Sequence, residues 1–331
     1  MADIYRRLND LGLDRKFVLQ TILPENWDDT AANDLAGRQR AESSVCNALG
    51  LNSASFDTDS PPLDEQFSTH VDFLSPPQKP ALSLTSVISL AARMAQLCRD
   101  GLIDPLSCWL KDLGPNELRE MIMKQHRIVT LSSLLKSSWA MGVPVIPMSY
   151  LPAKAASIDA VVDCTHGQPV IVLCSRHTSP AWIIWHLAFA LAHIRTLAAG
   201  QRIALVDLLS PDPAPERQQA SNFATTLIHG EFAPDIDGHD RITGVKLAAL
   251  ARELSHQRGL DAGSVVSGFA LKKNALGGNT RGPADKALIN LGIQSGGLEQ
   301  VTHLLNTRID HHSLPPEARR FFTAIAGHVA R

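Results

Sequence analysis

The chain has 331 residues, 44% hydrophobic and 19% charged, which is enough for one large hydrophobic core or two smaller ones. Its net charge of −2 excludes a global electrostatic attraction to nucleic acid or to an anionic membrane. The first ten residues, MADIYRRLND, lack the apolar stretch of a secretion signal, and the five cysteines are scattered without CxxC spacing. These features predict a cytoplasmic, bacterial-type protein with reduced thiols and no disulfide framework.

Residues 1–51 form a predicted N-terminal helical region, because apolar residues recur at helical spacing over Asp3–Leu11 and Asp34–Leu49. A DNA-binding helix-turn-helix is the alternative, but the region has no clear turn glycine and no basic recognition helix. A pair of packing helices is therefore favoured. Residues 52–82 are rich in Ser, Asp and Pro and contain two PP pairs, which predicts a linker or a surface arm.

Three more helices precede a change of period. SLTSVISLAARMAQLCRDG ends at Gly101, PNELREMIMKQ begins at Pro115, and TLSSLLKSSWAMG ends at Gly142. The period of the sequence then changes from that of a helix to two, with runs rich in β-forming residues, which predicts strands in 143–150, 159–164 and 169–174. The turn THGQ joins the last two strands into a hairpin. A small sheet therefore leads into the next helix.

That helix is predicted over Pro180–Ala199, PAWIIWHLAFALAHIRTLAA, with Ser179 as its cap and Gly200 as its stop. A helix that is apolar on nearly every face is either buried or membrane-spanning. Two histidines and one arginine within it make a membrane span expensive. We expect the central buried helix of a globular domain.

The remainder is predicted to be mostly helical. RIALVD and the loop LSPDPAP come first, and helices follow from Pro215, over 241–257, over 261–275 with Asp261 as cap, and in the last 35 residues or so. Lys272, Lys273 and Arg281 beside the glycine-rich loop indicate a solvated surface, and His311-His312 is a poor metal signal. The expected fold is α+β and mostly helical, with a small sheet packed on a long buried helix and additional helices at both ends.

The two histidines of the central helix are separated by seven residues. A zinc peptidase of the HExxH type has histidines at i and i+4 with a glutamate beside the first. Here the segment reads His186-Leu187-Ala188-Phe189-Ala190, and His193 lies two turns on, roughly 10.5 Å along the helix axis. Taken alone, this spacing favours buried, hydrogen-bonded histidines over zinc ligands.

The order of features resembles the ImmA/IrrE family of HExxH metallopeptidase domains. The segments that carry the likeness are WAMGVPVIPMSYLP, GQPVIVL, SPAWIIWHLAFALAHI and ERQQASNFATTLI, within roughly residues 84–275. In the family, a helix precedes a GIPV-like strand and a short sheet, followed by the H-E-x-x-H helix and a helix marked E-x-x-A-N-x-F-A. The resemblance implies a zincin-like core at 83–275 and a C-terminal helical extension at 276–331.

Placed on that pattern, most catalytic positions are replaced. His186 matches the first zinc histidine, whereas Leu187 stands for the general base and Ala190 for the second histidine. The third-ligand glutamate falls at Arg217, with Glu216 one place away. A second register, starting at His193, also fails because Ile194 and Leu197 take the positions of the base and the second ligand. The resemblance therefore implies a lost catalytic site, with His193 and Glu216 as the remaining cleft candidates.

Three functions follow from these features. The first is a non-catalytic regulatory or interaction protein of the stress, phage-defence or toxin–antitoxin type, which binds a protein partner and needs no cofactor. The second is an active metallopeptidase with an unorthodox zinc site built from His186, His193 and either Glu216 or a C-terminal histidine. The third is a DNA-binding regulator that uses residues 1–50. None requires a membrane, and the oligomeric state is left open.

Overall fold

The computed structural model describes residues 1–56, 72–73, 81–153, 155, 157–206, 214–230, 242–276 and 280–327. Helices dominate these ranges, as predicted. They are α1 Ala2–Asp10, α2 Arg15–Thr21, α3 Leu35–Leu49, α4 Ala81–Asp100, α5 Pro115–His126, α6 Leu131–Ala140, α7 Pro180–Ile194, α8 Pro215–His229, α9 Gly244–Arg258, α10 Ala262–Ala275, α11 Arg281–Leu291, α12 Gly297–Asn306 and α13 Pro316–Ile325. Within the same ranges, no helix is both long and apolar enough to cross a bilayer.

A small mixed sheet lies at the centre of the fold. Its strands are β1 Asp72–Phe73, β2 Val145–Pro147, β3 Ala160–Asp163, β4 Val170–Leu173 and β5 Arg202–Leu205. Their order across the sheet is β1-β5-β3-β4-β2. Strand β3 pairs antiparallel with β4 and with β5, whereas the outer pairs β1–β5 and β2–β4 are parallel. The predicted hairpin is confirmed as β3–β4.

The sheet is covered on both faces by helices. Val161, Val172 and Ala204 point to one face and share a hydrophobic cluster with α4. Their neighbours along each strand, such as Val162 and Ile171, point to the other face and share a second cluster with α7. Alternation of side chains along a strand produces these two opposite faces. The resulting core has three layers, with α4 and α7 on opposite sides of the sheet.

Helix α7 is enclosed on all sides. Every residue from Ala181 to Ile194 is buried. The helix packs on β3 and β4 and also contacts α6, α8, α10 and α12. Its first turn contributes Ala181 and Trp182 to a third hydrophobic cluster, which is otherwise built from α9, α10, α11 and the neighbouring loops. The prediction of a central buried helix packed on a small sheet is confirmed.

The N-terminal helices pack against the C-terminal one. Residues of α1, α2 and α3 share the first cluster with α4 and α13. Phe17 stacks on Tyr150 with ring centroids 5.7 Å apart, and Arg320 donates a hydrogen bond to the Leu19 carbonyl oxygen at 3.4 Å. The apolar faces of α1–α3 are therefore used in internal packing. The proposed division into 1–51, 52–82, 83–275 and 276–331 stays a prediction.

Several predicted segments fall partly outside the described residues. These are the arm 52–82, the loop LSPDPAP, the glycine-rich loop before Arg281 and the end of the last helix. Of the arm, residues 72–73 form the edge strand β1, which pairs with Ile203 and Ala204 of β5. The glycine-rich sequence predicts a loop over Gly277–Pro283, but helix α11 already begins at Arg281.

Helix α7 ends earlier than the sequence predicts, at Ile194 instead of Ala199. The carbonyl oxygen of His193 accepts hydrogen bonds from the amides of Thr196 and Leu197 at 3.1 and 3.0 Å, which closes the helix. Gly200 then adopts a positive φ of 91° and donates its amide to the Cys164 carbonyl oxygen. The chain turns here because β5 must return to pair with β3.

A buried ion-pair network ties α4 to the sheet. The Asp163 carboxylate at the end of β3 is fully buried and accepts hydrogen bonds from Arg99 of α4 and Arg202 of β5, both at 2.6 Å. Thr165 donates its hydroxyl and its amide to the same carboxylate. Burial by itself would raise the Asp163 pKa, but the charges of Arg202 and Arg99 outweigh it and hold the pKa below its usual value. The network keeps the carboxylate ionised inside the core.

Asp163→Asn should destabilise the fold strongly, by about 3–5 kcal/mol, because two buried guanidinium groups lose their counter-charge. Urea unfolding at neutral pH measures this loss. Asp3→Asn is the matched control, since Asp3 forms only exposed ion pairs with Arg6 and Arg7 and its loss should cost less than about 1 kcal/mol. Equal effects of the two substitutions would show that the buried network contributes no more than a surface pair.

Candidate functional site

The candidate site is organised by α7, whose start the sequence specifies. The Ser179 side chain caps the helix by accepting a hydrogen bond from the Ala181 amide, and Pro180 occupies the first helical position. The Ser179 hydroxyl also donates to the Ile293 carbonyl oxygen at 2.6 Å. The first turn is therefore held in place both locally and by the segment that follows α11.

His186 lies in the middle of α7 and is only 2% exposed. Its Nε2 is 3.8 Å from Oδ1 of Asp159, which is too long for a hydrogen bond. Its Nδ1 has no hydrogen-bond partner among the residues that the structure describes. The ring of His177 lies beside it, with centroids 5.8 Å apart. We call Asp159, His177 and His186 the His186 cluster.

Burial keeps the histidines of this cluster neutral. Burial lowers the pKa of His186, and the nearby Asp159 carboxylate opposes that effect only in part. The pKa of His177 is lowered first by burial and then by His186 and Arg281. The His186 cluster therefore offers neutral imidazole nitrogens beside one carboxylate at neutral pH.

Sequence reasoning missed Asp159 and His177 as neighbours of His186. Asp159 directly precedes β3, and its backbone pairs with Leu205 and with Cys174, at opposite sides of the strand. His177 lies in the short loop between β4 and α7. In the sequence, each of the two is a polar residue shortly before a buried strand or helix, and this feature could have drawn attention to them. Neither residue forms a recognisable spacing motif with His186.

Leu187 and Ala190, at the positions of the general base and second zinc histidine in the family pattern, belong to the hydrophobic core. Both are 0% exposed and lie in the second cluster with residues of the sheet and of α8. An aliphatic side chain can neither accept a proton nor ligate a metal ion. These two positions contribute packing to the fold.

Arg217 and Glu216 of α8 point in different directions. Arg217 is buried and donates a long hydrogen bond to the Val206 carbonyl oxygen at 3.5 Å, whereas Glu216 is exposed. Burial, and after it the charge of Arg217, lowers the pKa of His193 to about 4. The structure thus brings Arg217 close to His193, two helical turns beyond His186.

A second polar group lies at the contact of α7, α8 and α10. Trp185 donates its Nε1–H to the Ser267 hydroxyl at 2.8 Å, and its ring meets His229 edge-on with centroids 5.4 Å apart. Nε2 of His229 lies 3.3 Å from the Ser264 hydroxyl. A Cβ at Gly268 would come within 2.6 Å of the His229 ring, so glycine is required for this approach. Glycine inside a predicted helix was the signal that sequence reasoning left unused.

Within the described residues, no group of three or more His, Cys, Asp or Glu side chains is positioned to hold a metal ion. His186 and His193 are also not brought together, because they lie seven positions apart on a regular helix.

No protein-family model matches the chain, and no curated protein gives a significant match. The likeness to the ImmA/IrrE family therefore rests on the segments quoted from the sequence and on the order of the elements that they form.

Leu187→Glu should destabilise the fold by more than about 3 kcal/mol, because a carboxylate would be placed in the apolar second cluster. Urea unfolding gives the change. Leu35→Glu makes the same replacement at a side chain that is 72% exposed in the first turn of α3, where an acidic residue is favourable. Tolerance of glutamate at position 187 would indicate an open, solvated cleft.

The stability should fall as the pH falls from 7.5 to 5. Burial lowers the pKa of His193 and of His229 to about 4, whereas both titrate near 6.5 in the unfolded chain. Between these values the unfolded state binds more protons, so each histidine should remove roughly 2 kcal/mol over this range. Urea unfolding at both pH values measures the loss.

The double variant His193→Gln/His229→Gln should show a markedly smaller pH dependence. His256→Gln/His303→Gln replaces two exposed histidines and should leave the pH dependence unchanged. If the free energy of unfolding of both double variants falls between pH 7.5 and 5 as much as that of the unsubstituted chain, the two buried histidines do not cause the loss of stability.

Proposed function

We propose that this chain is a degenerate ImmA/IrrE-like domain that has lost peptidase chemistry and acts by binding another protein. The observation that carries the proposal is the replacement of the expected catalytic residues on α7 and α8 by core side chains and a buried cation. Leu187 and Ala190 are fully buried, and Arg217 is 5% exposed.

The order of the elements supports the relationship. The segment WAMGVPVIP forms the end of α6 and β2, GQPVIVL forms β4, and the two helices that should flank the active site are α7 and α8, which pack directly on each other. Strand β5 between α7 and α8 widens the sheet on the side where the arm adds β1. Such a body is a suitable scaffold after catalysis is lost, because its core does not depend on a metal ion.

The loss of a metal ion from a buried site also has an energetic cost. A zinc cluster that has lost its metal leaves buried imidazoles and carboxylates without partners, at about 1–3 kcal/mol for each group. Aliphatic side chains at two of these positions remove that cost and add packing. His186 remains with an unpartnered Nδ1. The function assigned here needs no cofactor, and we place the protein in the cytoplasm in a regulatory, stress or phage-defence role.

Protein purified without chelators should carry less than about one-tenth of an equivalent of zinc, because a catalytic zinc site needs three protein ligands and no three His, Cys, Asp or Glu side chains of the described residues are positioned to hold a metal ion. Elemental mass spectrometry measures the metal content, and His186→Ala should leave it unchanged. Peptidase activity with added zinc should stay at the level of the His186→Ala control.

Near-stoichiometric zinc that disappears in His186→Ala would instead establish the second function, an active metallopeptidase with an unorthodox site. Glu216→Gln then distinguishes that site from a fortuitous one, since Glu216 is the only carboxylate that the second hypothesis supplies. Loss of activity in both variants would overturn the non-catalytic assignment.

A further inference from the structure

Helices α9, α10 and α11 are joined to the rest of the fold mainly through α10. The three helices follow one another along the chain and build most of the third hydrophobic cluster, to which α7 adds Ala181 and Trp182. Helix α10 packs on α7 and on α8, whereas α9 and α11 pack mainly on α10 and on each other. We call these three helices the outer unit. A segment with its own cluster and one main contact face can open while the remaining core stays folded.

His229, the last residue of α8, lies at this contact face and is 2% exposed. The Ser264 hydroxyl of α10 is 3.3 Å from Nε2 of the ring and donates its own hydrogen to the Asp261 carbonyl oxygen at 2.8 Å. Towards His229 this hydroxyl can therefore only accept, so the proton of the neutral ring lies on Nε2. Nδ1 keeps its lone pair, and no hydrogen-bond partner reaches it within the described residues.

The contact face has no place for a second proton on the ring. A Cβ at Gly268 would lie 3.5 Å from Nδ1 of His229 and 2.6 Å from its Cε1, so the backbone of α10 already lies against this edge. Trp185 of α7 meets the ring edge-on and donates its Nε1–H to Ser267. A new N–H at Nδ1 would be a buried donor without an acceptor, which destabilises the contact that encloses it.

The nearest cation opposes protonation as well. Arg119 of α5 donates to two carbonyl oxygens in the last turn of α8, at 3.1 and 2.6 Å, so the C-terminus of this helix already holds a positive charge. Burial is the main cause that lowers the pKa of His229 to about 4. Hydrogen bonding to Ser264 opposes this shift, and the charge of Arg119 adds to it.

The other elements packed on the ring offer little compensation. Helix α7 faces it with Trp185, and α10 faces it with Ser264 and Gly268, none of which carries a charge. Asp261 caps α10 and accepts the Ser264 amide at 2.7 Å, and burial raises its pKa. A raised carboxyl pKa favours the closed contact as the pH falls, so Asp261 acts against opening and His229 drives it.

We propose that protonation of His229 releases the outer unit from α7 and α8, while the sheet and α4 stay folded. The release uncovers Trp182 and Ala181, the part of the central helix that the third cluster covers. This acid-sensitive contact goes beyond the proposed function, because it assigns a conformational response to the fold and not a partner.

Hydrogen–deuterium exchange of the full chain, followed by mass spectrometry and corrected for intrinsic exchange rates, measures the opening of each segment. The ring has a pKa of about 4 when the contact is closed and should titrate near 6.5 when it is open. Between these values the open state binds the extra proton, so the opening constant of the outer unit should rise roughly 30-fold from pH 7.5 to pH 5. At pH 5, α4 and β3 should remain better protected than the outer unit.

Two variants identify the proton that controls the opening. His229→Gln removes the titrating group and should reduce the rise to less than about threefold. His193→Gln is the matched control, because the pKa of His193 is also lowered to about 4, yet it lies eight positions beyond Trp185, about 12 Å along α7. This control should keep the full rise in the outer unit.

A third variant opens the contact without a proton. Gly268→Ala places a methyl group against the His229 ring and should lower the protection of the outer unit at pH 7.5, with that of α4 and β3 retained. If circular dichroism shows that His229→Gln does not fold, this variant decides the question, and unchanged protection of its outer unit would overturn the inference.

The remaining outcomes also contradict the inference. Equal protection of the outer unit, α4 and β3 at pH 5 would mean that the chain opens only as a whole. A rise that persists in His229→Gln, or one that His193→Gln abolishes, would place the controlling proton elsewhere.

Discussion

The complete burial of α7 is the constraint on which the rest of the fold depends. Its residues are apolar on every side, so no face can be left to water without a large loss of hydrophobic free energy. The sheet covers one side, and α6, α8, α10 and α12 cover the others. A helix in this position can carry chemistry only where a cleft reaches it, and Leu187 and Ala190 are instead part of the core.

The same burial divides the polar groups of the core into two kinds. The Asp163 carboxylate stays ionised, and a buried charge requires partners. It has them on α4, on β5 and in the turn after β3. Buried histidines reach neutrality by a fall in pKa, so they tolerate incomplete hydrogen bonding. Within the described part of the chain, one ring nitrogen of each buried histidine lacks a hydrogen-bond partner: Nδ1 of His186, Nε2 of His193 and Nδ1 of His229. The Asp163 carboxylate therefore links α4 to the sheet, whereas the buried histidines contribute mainly to packing.

The core around α7 and the outer helices α9–α11 differ in their chemistry. The core around α7 is hydrophobic and fully packed, while the α9–α11 region carries a local charge opposite in sign to the net charge of the chain. Trp182 and Ala181 join the third cluster to the first turn of α7, so the outer helices are anchored on the central one.

The sequence by itself determined the features that depend on short-range physics. Helical periodicity and caps such as Ser179 and Asp261 located most helices, and alternation with a glycine turn located the β3–β4 hairpin. The replaced positions at Leu187 and Ala190 were also readable, because a side chain that lacks a basic or ligating atom cannot regain one through folding.

Only the tertiary structure decided which distant residues meet. It ended α7 at Ile194 so that β5 could return to β3, and it placed Asp159 beside His186. It also brought Arg217 to His193, and packed α1–α3 against α13. Local propensities act over one or two helical turns, whereas these contacts join residues far apart in the chain. Their geometry depends on how the layers pack, which no window of the sequence contains.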